Sequence, residues 1–192
     1  MEQILMVENG TELFKYWLGV IYCEMPGKII SWTCALTIIL MIGMSVSVRV
    51  VDNKYIHKFG RDFLRIIFVV YIILVLFVTL GSREKSSEKE YCLIPLYSYY
   101  AYLHGATEKL RESMMNILLF YPLGLLGGAV FGKKSILMGT CLSMGIEAFQ
   151  YIFHLGYAEV DDVIHNTIGM AIGVIVVSCF KMLISNSQKR NL

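Results

Sequence analysis

The sequence predicts an all-α polytopic membrane bundle of about five transmembrane helices, preceded by an N-terminal interfacial helix. Three observations predict it. Of 192 residues, 56% are hydrophobic and 17% charged, with a mean hydropathy of +0.61; an ordinary soluble domain carries roughly 25% charge. Several apolar runs reach the ~20 residues that cross a hydrocarbon core of about 30 Å. Short alternating segments, the mark of a β-barrel, are absent, and continuous helices satisfy the backbone within lipid. Lys plus Arg is 17 and Asp plus Glu is 15, a net charge of +2. That balance is too even for counterion-driven binding and argues against nucleic acid as a partner.

The first element is an interfacial segment, residues 1–28. It opens on Met1, Glu2 and Gln3 instead of a basic region, so it does not read as a signal peptide. Leu13 to Tyr22 is apolar and aromatic but too short to span, and Pro26-Gly27 separates it from the first long apolar run. Residues 29–81 hold two spans. Ile29 to Val48 carries no charge, and Phe63 to Leu80 has Arg65 near one end. Residues 82–112 form an extracytoplasmic loop. Its charged part, Arg83 to Glu90, reads as solvated chain, and Tyr91 to Gly105 carries five tyrosines. Tyrosine favours the headgroup layer, so this stretch reads as an aromatic belt, with a ligand-stacking surface as the sharper alternative.

Residues 113–185 hold three further spans, Ser113 to Phe131, Ser135 to Phe153 and Val163 to Ile184. Pro122 is expected to kink the first of them. Gly124 and Gly128, and likewise Gly169 and Gly173, have the spacing that lets helix backbones approach in lipid. These three spans carry polar residues that must hide from lipid, so they should pack together and leave the first two peripheral. Residues 186–192 are a cytoplasmic tail. With the N-terminus outside, nine cations fall inside and seven outside, and the short turn from His154 to Asp162 has three acids and no cation. The predicted orientation is therefore N-out, C-in. Of the five cysteines, Cys34, Cys141 and Cys179 lie in spans as packing residues. Cys23 and Cys92 share a side and could pair where it is oxidising.

The candidate site is built from the polar residues. Glu147, Gln150, Tyr151 and His154 sit at i, i+3, i+4 and i+7, one helical face. A carboxylate within a span normally faces the bundle interior or a water-filled cavity. Glu159, Asp161 and Asp162 precede the last span, where acids favour the helix dipole. Asp162 and Asn166 form one i, i+4 pair, Asp161 and His165 another. At 1.5 Å per residue, Asn116 and Asn166 lie about one turn from the same membrane face and Glu147 about two. The predicted site is one polar cluster of Asn116, Glu147, Gln150, Asp161, Asp162 and Asn166, supported by Tyr151, His154 and His165. No spacing in the sequence points to a metal or a cofactor.

The runs NILLFYPLGLL (Asn116 to Leu126), IEAFQYIF (Ile146 to Phe153) and DDVIHNTIGMAIG (Asp161 to Gly173), with CLIPL (Cys92 to Leu96) upstream, resemble the VanZ-like family. The resemblance covers about Leu93 to Ser185 and makes residues 113–185 the family's three-helix core. The family commonly has an Arg just before its acidic run; here Gly156 or Tyr157 stands there, and His154 is a partial substitute. The resemblance implies a cell-envelope protein that lowers susceptibility to teicoplanin-type glycopeptides, and it supplies no reaction.

Three readings of function fit this sequence. The first is a non-catalytic protein whose outer-leaflet site binds a headgroup, a lipid-linked wall precursor or the drug. The second is an intramembrane enzyme acting on a lipid-linked substrate, with Glu147, His154, Asp161, Asp162 and His165 supplying an acid–base pair or a divalent-metal site. No HExxH, GxSxG or phosphate-cradling motif supports it. The third is a small transporter subunit, which with five spans and no internal repeat would require an oligomer.

Overall fold

The computed structural model describes residues 38–39, 42–43, 54–81 and 90–190. The N-terminal segment 1–28, the body of the first predicted span, Cys23 and most of the charged loop lie outside the described residues. Within them, a long helix α1 (Lys54–Leu76) ends in a π-helical turn, Phe77–Gly81. A short strand β1 (Glu90–Cys92) leads into a two-turn helix α2 (Tyr97–Leu103). Then come α3 (Thr107–Val130), α4 (Lys134–Phe153), strand β2 (Tyr157–Glu159) and α5 (Val160–Arg190). Four helices among the described residues are long and apolar enough to cross a membrane: α1 with its π turn, α3, α4 and α5.

Helix α3 is the centre of the bundle. Seven successive residues, Pro122 to Gly128, are buried, so every face of the helix is covered there. The helix continues through Pro122. Helix α5 lies against it at very short range, as the small-residue spacing predicts. A Cβ added at Gly124 would strike the carbonyl of Met170, and one added at Gly169 would strike the carbonyl of Ile117. At Gly128 it would meet the Val174 Cα at 3.0 Å. Without a hydrophobic drive between helices in lipid, such backbone approach supplies the dispersion contacts that hold them.

Helix α1 is peripheral. Phe68 and Val75 are buried against α3, with Leu64, Ile67, Tyr71 and Ile72 packed beside them at helical spacing. Tyr71 donates its hydroxyl to the Leu119 carbonyl at 3.0 Å. Ile66, Val69, Val70, Ile73 and Leu74 remain exposed, the face a bilayer would cover. At the far end of the bundle Lys181 of α5 caps α3, donating to the carbonyls of Gly128 and Ala129 at 3.2 and 2.9 Å. These are the carbonyls a helix C-terminus leaves unpaired.

Two features depart from the sequence reading. Helix α3 begins at Thr107, six residues earlier than expected, which takes Lys109 out of the loop. The tyrosine-rich stretch is also more than a belt. Strand β1 pairs with β2 in parallel, with Glu90, Tyr91 and Cys92 opposite Tyr157, Ala158 and Glu159. Residues 90–103 thus form a strap tied across the end of the bundle where α4 stops and α5 starts. Cys92 forms no disulfide with another cysteine among the described residues.

Candidate functional site at the strap end of the bundle

The polar residues singled out in the sequence separate into three groups. The first lies between α4, β2 and α3. Glu147, buried near the end of α4, accepts a hydrogen bond on Oε2 from the Glu159 amide at 2.9 Å. The Glu159 side chain, 6% exposed, is neutralised by the Lys109 ammonium, which also reaches Glu112 at 3.0 Å. The same ammonium lies 5.7 Å from the centroid of the Tyr157 ring.

The second group holds the strap. Asp161 is 2% exposed, and both carboxylate oxygens accept backbone amides, Oδ1 from Leu96 and Oδ2 from Ser98 at 2.7 Å. It therefore caps the N-terminus of α2, whose first amides have no partner within their own helix. Asp161 also lies in the first turn of α5, as the sequence reading placed it, so the one carboxylate faces the start of two helices. One turn on, His165 is fully buried, and its Nε2 lies 3.1 Å from the Tyr99 hydroxyl. The Asp161/His165 pair expected on one face thus exists, and its target is α2.

The third group joins helices. Asn166 donates to the Ser143 hydroxyl of α4 at 2.8 Å, and Gln150 donates to the Thr79 carbonyl of the π turn at 3.1 Å. Asn116 is half-buried on α3 beside Ile117 and joins none of these bonds. Asp162 is half-buried and engaged. Tyr151 is exposed, with its ring edge-on to Tyr91 at 5.8 Å. His154 follows α4 in the left-handed conformation, φ 57, as its C-cap. The helical face expected to carry it stops at Phe153, and His154 is not placed by the i+7 spacing.

The first group opens onto a cavity of about 450 Å³. Its walls are Tyr91 and Leu93 of the strap, Ala148 and Tyr151 of α4, Ala158 of β2, and Val160 and Val163 of α5. Glu147 and Glu159 are its carboxylates. Apolar walls with a few convergent polar groups are the usual anatomy of a ligand site. Three buried polar atoms elsewhere in this end of the molecule, Gln150 Oε1, His165 Nδ1 and Asn166 Oδ1, have no partner. No group of three metal-ligating side chains occurs among the described residues.

The VanZ/LLP1 family profile matches residues 68–181, which include the strap, the cavity and all three polar groups. The chain belongs to this family. It is 36% identical over 73 residues to Protein VanZ of Enterococcus faecium, a match covering 36% of this chain and 45% of that protein. The chain thus spans less than half the length of that relative. No solved structure matches.

The cation that meets Glu159 comes from α3. Sequence reasoning missed Lys109, Tyr99, Ser143 and Thr79, all partners that only the fold brings close. Lys109→Met should destabilise the bundle by about 3 kcal/mol, because it strands a buried carboxylate. Lys109→Met combined with Glu159→Gln should recover at least half of that loss. Unfolding titrations of the four proteins in mixed micelles give the coupling energy; additivity would show that the pair does not interact.

Proposed function

We propose that this protein works in the cell envelope by lowering susceptibility to teicoplanin-type glycopeptides. Its ligand site is the cavity between the strap, α4 and α5, where a headgroup, a wall precursor or part of the drug binds. One observation carries the reading: a cavity with two carboxylates and a tyrosine rim, set at one end of a helical bundle whose apolar faces suit lipid. Membership of the VanZ/LLP1 family supplies the context.

The orientation follows the distribution of charge. Lys133 and Lys134 occupy the turn at one end of the bundle, where Lys181 also caps α3. Glu147, Glu159, Asp161 and Asp162 gather at the other end. Cations favour the cytoplasmic side, so the cavity faces outward, the N-terminus lies outside and the C-terminus inside.

Expression in a susceptible Gram-positive host tests the reading. Wild type should raise the inhibitory concentration of teicoplanin at least fourfold, and Glu147→Gln at matched membrane level should return it to the host value. Protection that survives Glu147→Gln would remove the cavity from the mechanism. Absence of protection by wild type would remove the resistance role itself.

A further inference from the structure

The end of the bundle opposite the cavity is dominated by cations. Lys58, Arg61 and Arg65 on α1, Lys133 and Lys134 in the α3–α4 turn, and Lys181 on α5 are all exposed there. Among the described residues the carboxylate at this end is Asp62, which pairs with Arg65 at 2.7 Å. At the strap end the described residues reverse that balance, with seven carboxylates against Lys109 and Arg111. A field divided in this way draws anions to the turn end alone.

The cations converge on the last turn of α3. A Cβ added at Gly127 would meet the Ser135 Cβ at 2.7 Å and the Phe68 Cε2 at 3.1 Å, so Ser135 and Phe68 stand at one level. The Phe131 ring lies edge-on to Phe68 at 5.3 Å. Lys133 and Lys134 immediately precede Ser135, and Arg65 lies about one turn from Phe68 toward the same end. Lys181 holds the carbonyls of Gly128 and Ala129, next to Gly127. Those carbonyls are neutral acceptors, so they leave the charge of the ammonium uncompensated. At 1.5 Å per residue these cationic positions fall within a layer about 5 Å deep.

Apolar side chains begin directly on the membrane side of that layer. Ile66 follows Arg65, and Leu137 and Met138 lie within one turn of Lys134; all three are exposed. A phospholipid has the same order, a thin anionic headgroup layer above hydrocarbon. A soluble anion would gain nothing from the apolar strip. Each Lys or Arg near the surface favours an anionic lipid by about fivefold, whereas the ammonium of a zwitterionic headgroup cancels that gain.

We infer that the turn end of the bundle binds an anionic phospholipid, with its phosphate among Lys133, Lys134 and Lys181 and a chain along Leu137 and Met138. This site is independent of the cavity and lies in the opposite leaflet.

Native mass spectrometry of the full chain in neutral detergent tests it, with phosphatidylglycerol and phosphatidylcholine of identical chains competing at equal concentration. Wild type should prefer phosphatidylglycerol by about twenty-fivefold or more, the effect of two such cations. Lys133→Gln with Lys134→Gln should lower the preference at least about tenfold. Lys133→Arg with Lys134→Arg keeps the charge and should keep the preference. Arg111→Gln removes a cation at the strap end and should change nothing. Phosphatidylglycerol carrying a diazirine in its chain should label the start of α4, between Lys134 and Met138. Equal retention of the two lipids, loss of preference in the arginine pair, an equal loss in Arg111→Gln, or labelling confined to the strap end would overturn the inference. Excess inorganic phosphate should leave the lipid bound; displacement would show a soluble-anion site and overturn the lipid assignment. Drug susceptibility has no bearing on these outcomes, so failure here and failure of the cavity reading are separate results.

Discussion

Gly173→Ala is expected to cost the bundle about 3 kcal/mol, the upper end of overpacking penalties, and to deplete folded protein from the membrane. The added methyl would lie 2.6 Å from the Leu125 nitrogen and 2.7 Å from the Gly124 carbonyl carbon, and would also strike the Tyr121 carbonyl oxygen. All three are backbone atoms of α3, so no side chain can swing aside to admit it. Helices α3 and α5 would have to separate. That separation weakens the dispersion contacts along their interface and strains the Asn166–Ser143 bond, because α5 also packs on α4. Gly145 supplies the control. It lies in α4 with nothing within 4 Å of an added Cβ, so Gly145→Ala should be neutral or stabilise by about 0.5–1 kcal/mol through helix propensity. Unfolding of both variants by titrated SDS in mixed micelles measures the difference. A Gly173→Ala protein as stable as wild type would show that the two helices do not cross at these glycines.

Those glycines were legible in the sequence because backbone approach in lipid needs small residues at a fixed spacing, and spacing is a local property. The spans were legible for a similar reason: a run of apolar residues reports its own environment. Glu147 stood out because a carboxylate within such a run is costly to bury. The partners were another matter. Lys109 sits among charged residues that look solvated, and only an extra turn and a half of α3 carries it to Glu159. The β1–β2 pairing joins two three-residue strands far apart in the chain, too short for alternation to register. The tyrosines of the strap suggested an interface at this end of the bundle, yet their spacing says nothing of the histidine beneath Tyr99. One cluster of polar residues was expected from depth along the helices. Depth places residues in a layer, while rotation about each helix decides which neighbour they meet, and that rotation divided the layer into three groups.

Asp161→Ala should release the strap while leaving the bundle intact. Its carboxylate satisfies two amides at the start of α2, and a charge-assisted bond of this kind contributes about 1.5–3 kcal/mol. Loss of both lowers the local opening free energy of the strap by about 3 kcal/mol, so amide hydrogen exchange across Tyr97 to Leu103 should accelerate about a hundredfold. Exchange in α3 between Phe120 and Gly128 should not change, because those residues are buried by α1, α4 and α5 instead. Asp161→Asn keeps one neutral acceptor and should give an intermediate acceleration of about tenfold. His165→Phe preserves ring contact with Tyr99 but loses the hydrogen bond, and should show a smaller increase confined to the same segment. The pattern separates two roles for Asp161. Had it served only the dipole of its own helix, the alanine variant would loosen Val160 to Ile164 and spare the strap. Tyr91 stays in register on β2, so release of α2 frees the chain from Leu93 onward, and Asp161→Ala should weaken ligand capture without touching either carboxylate that lines the cavity.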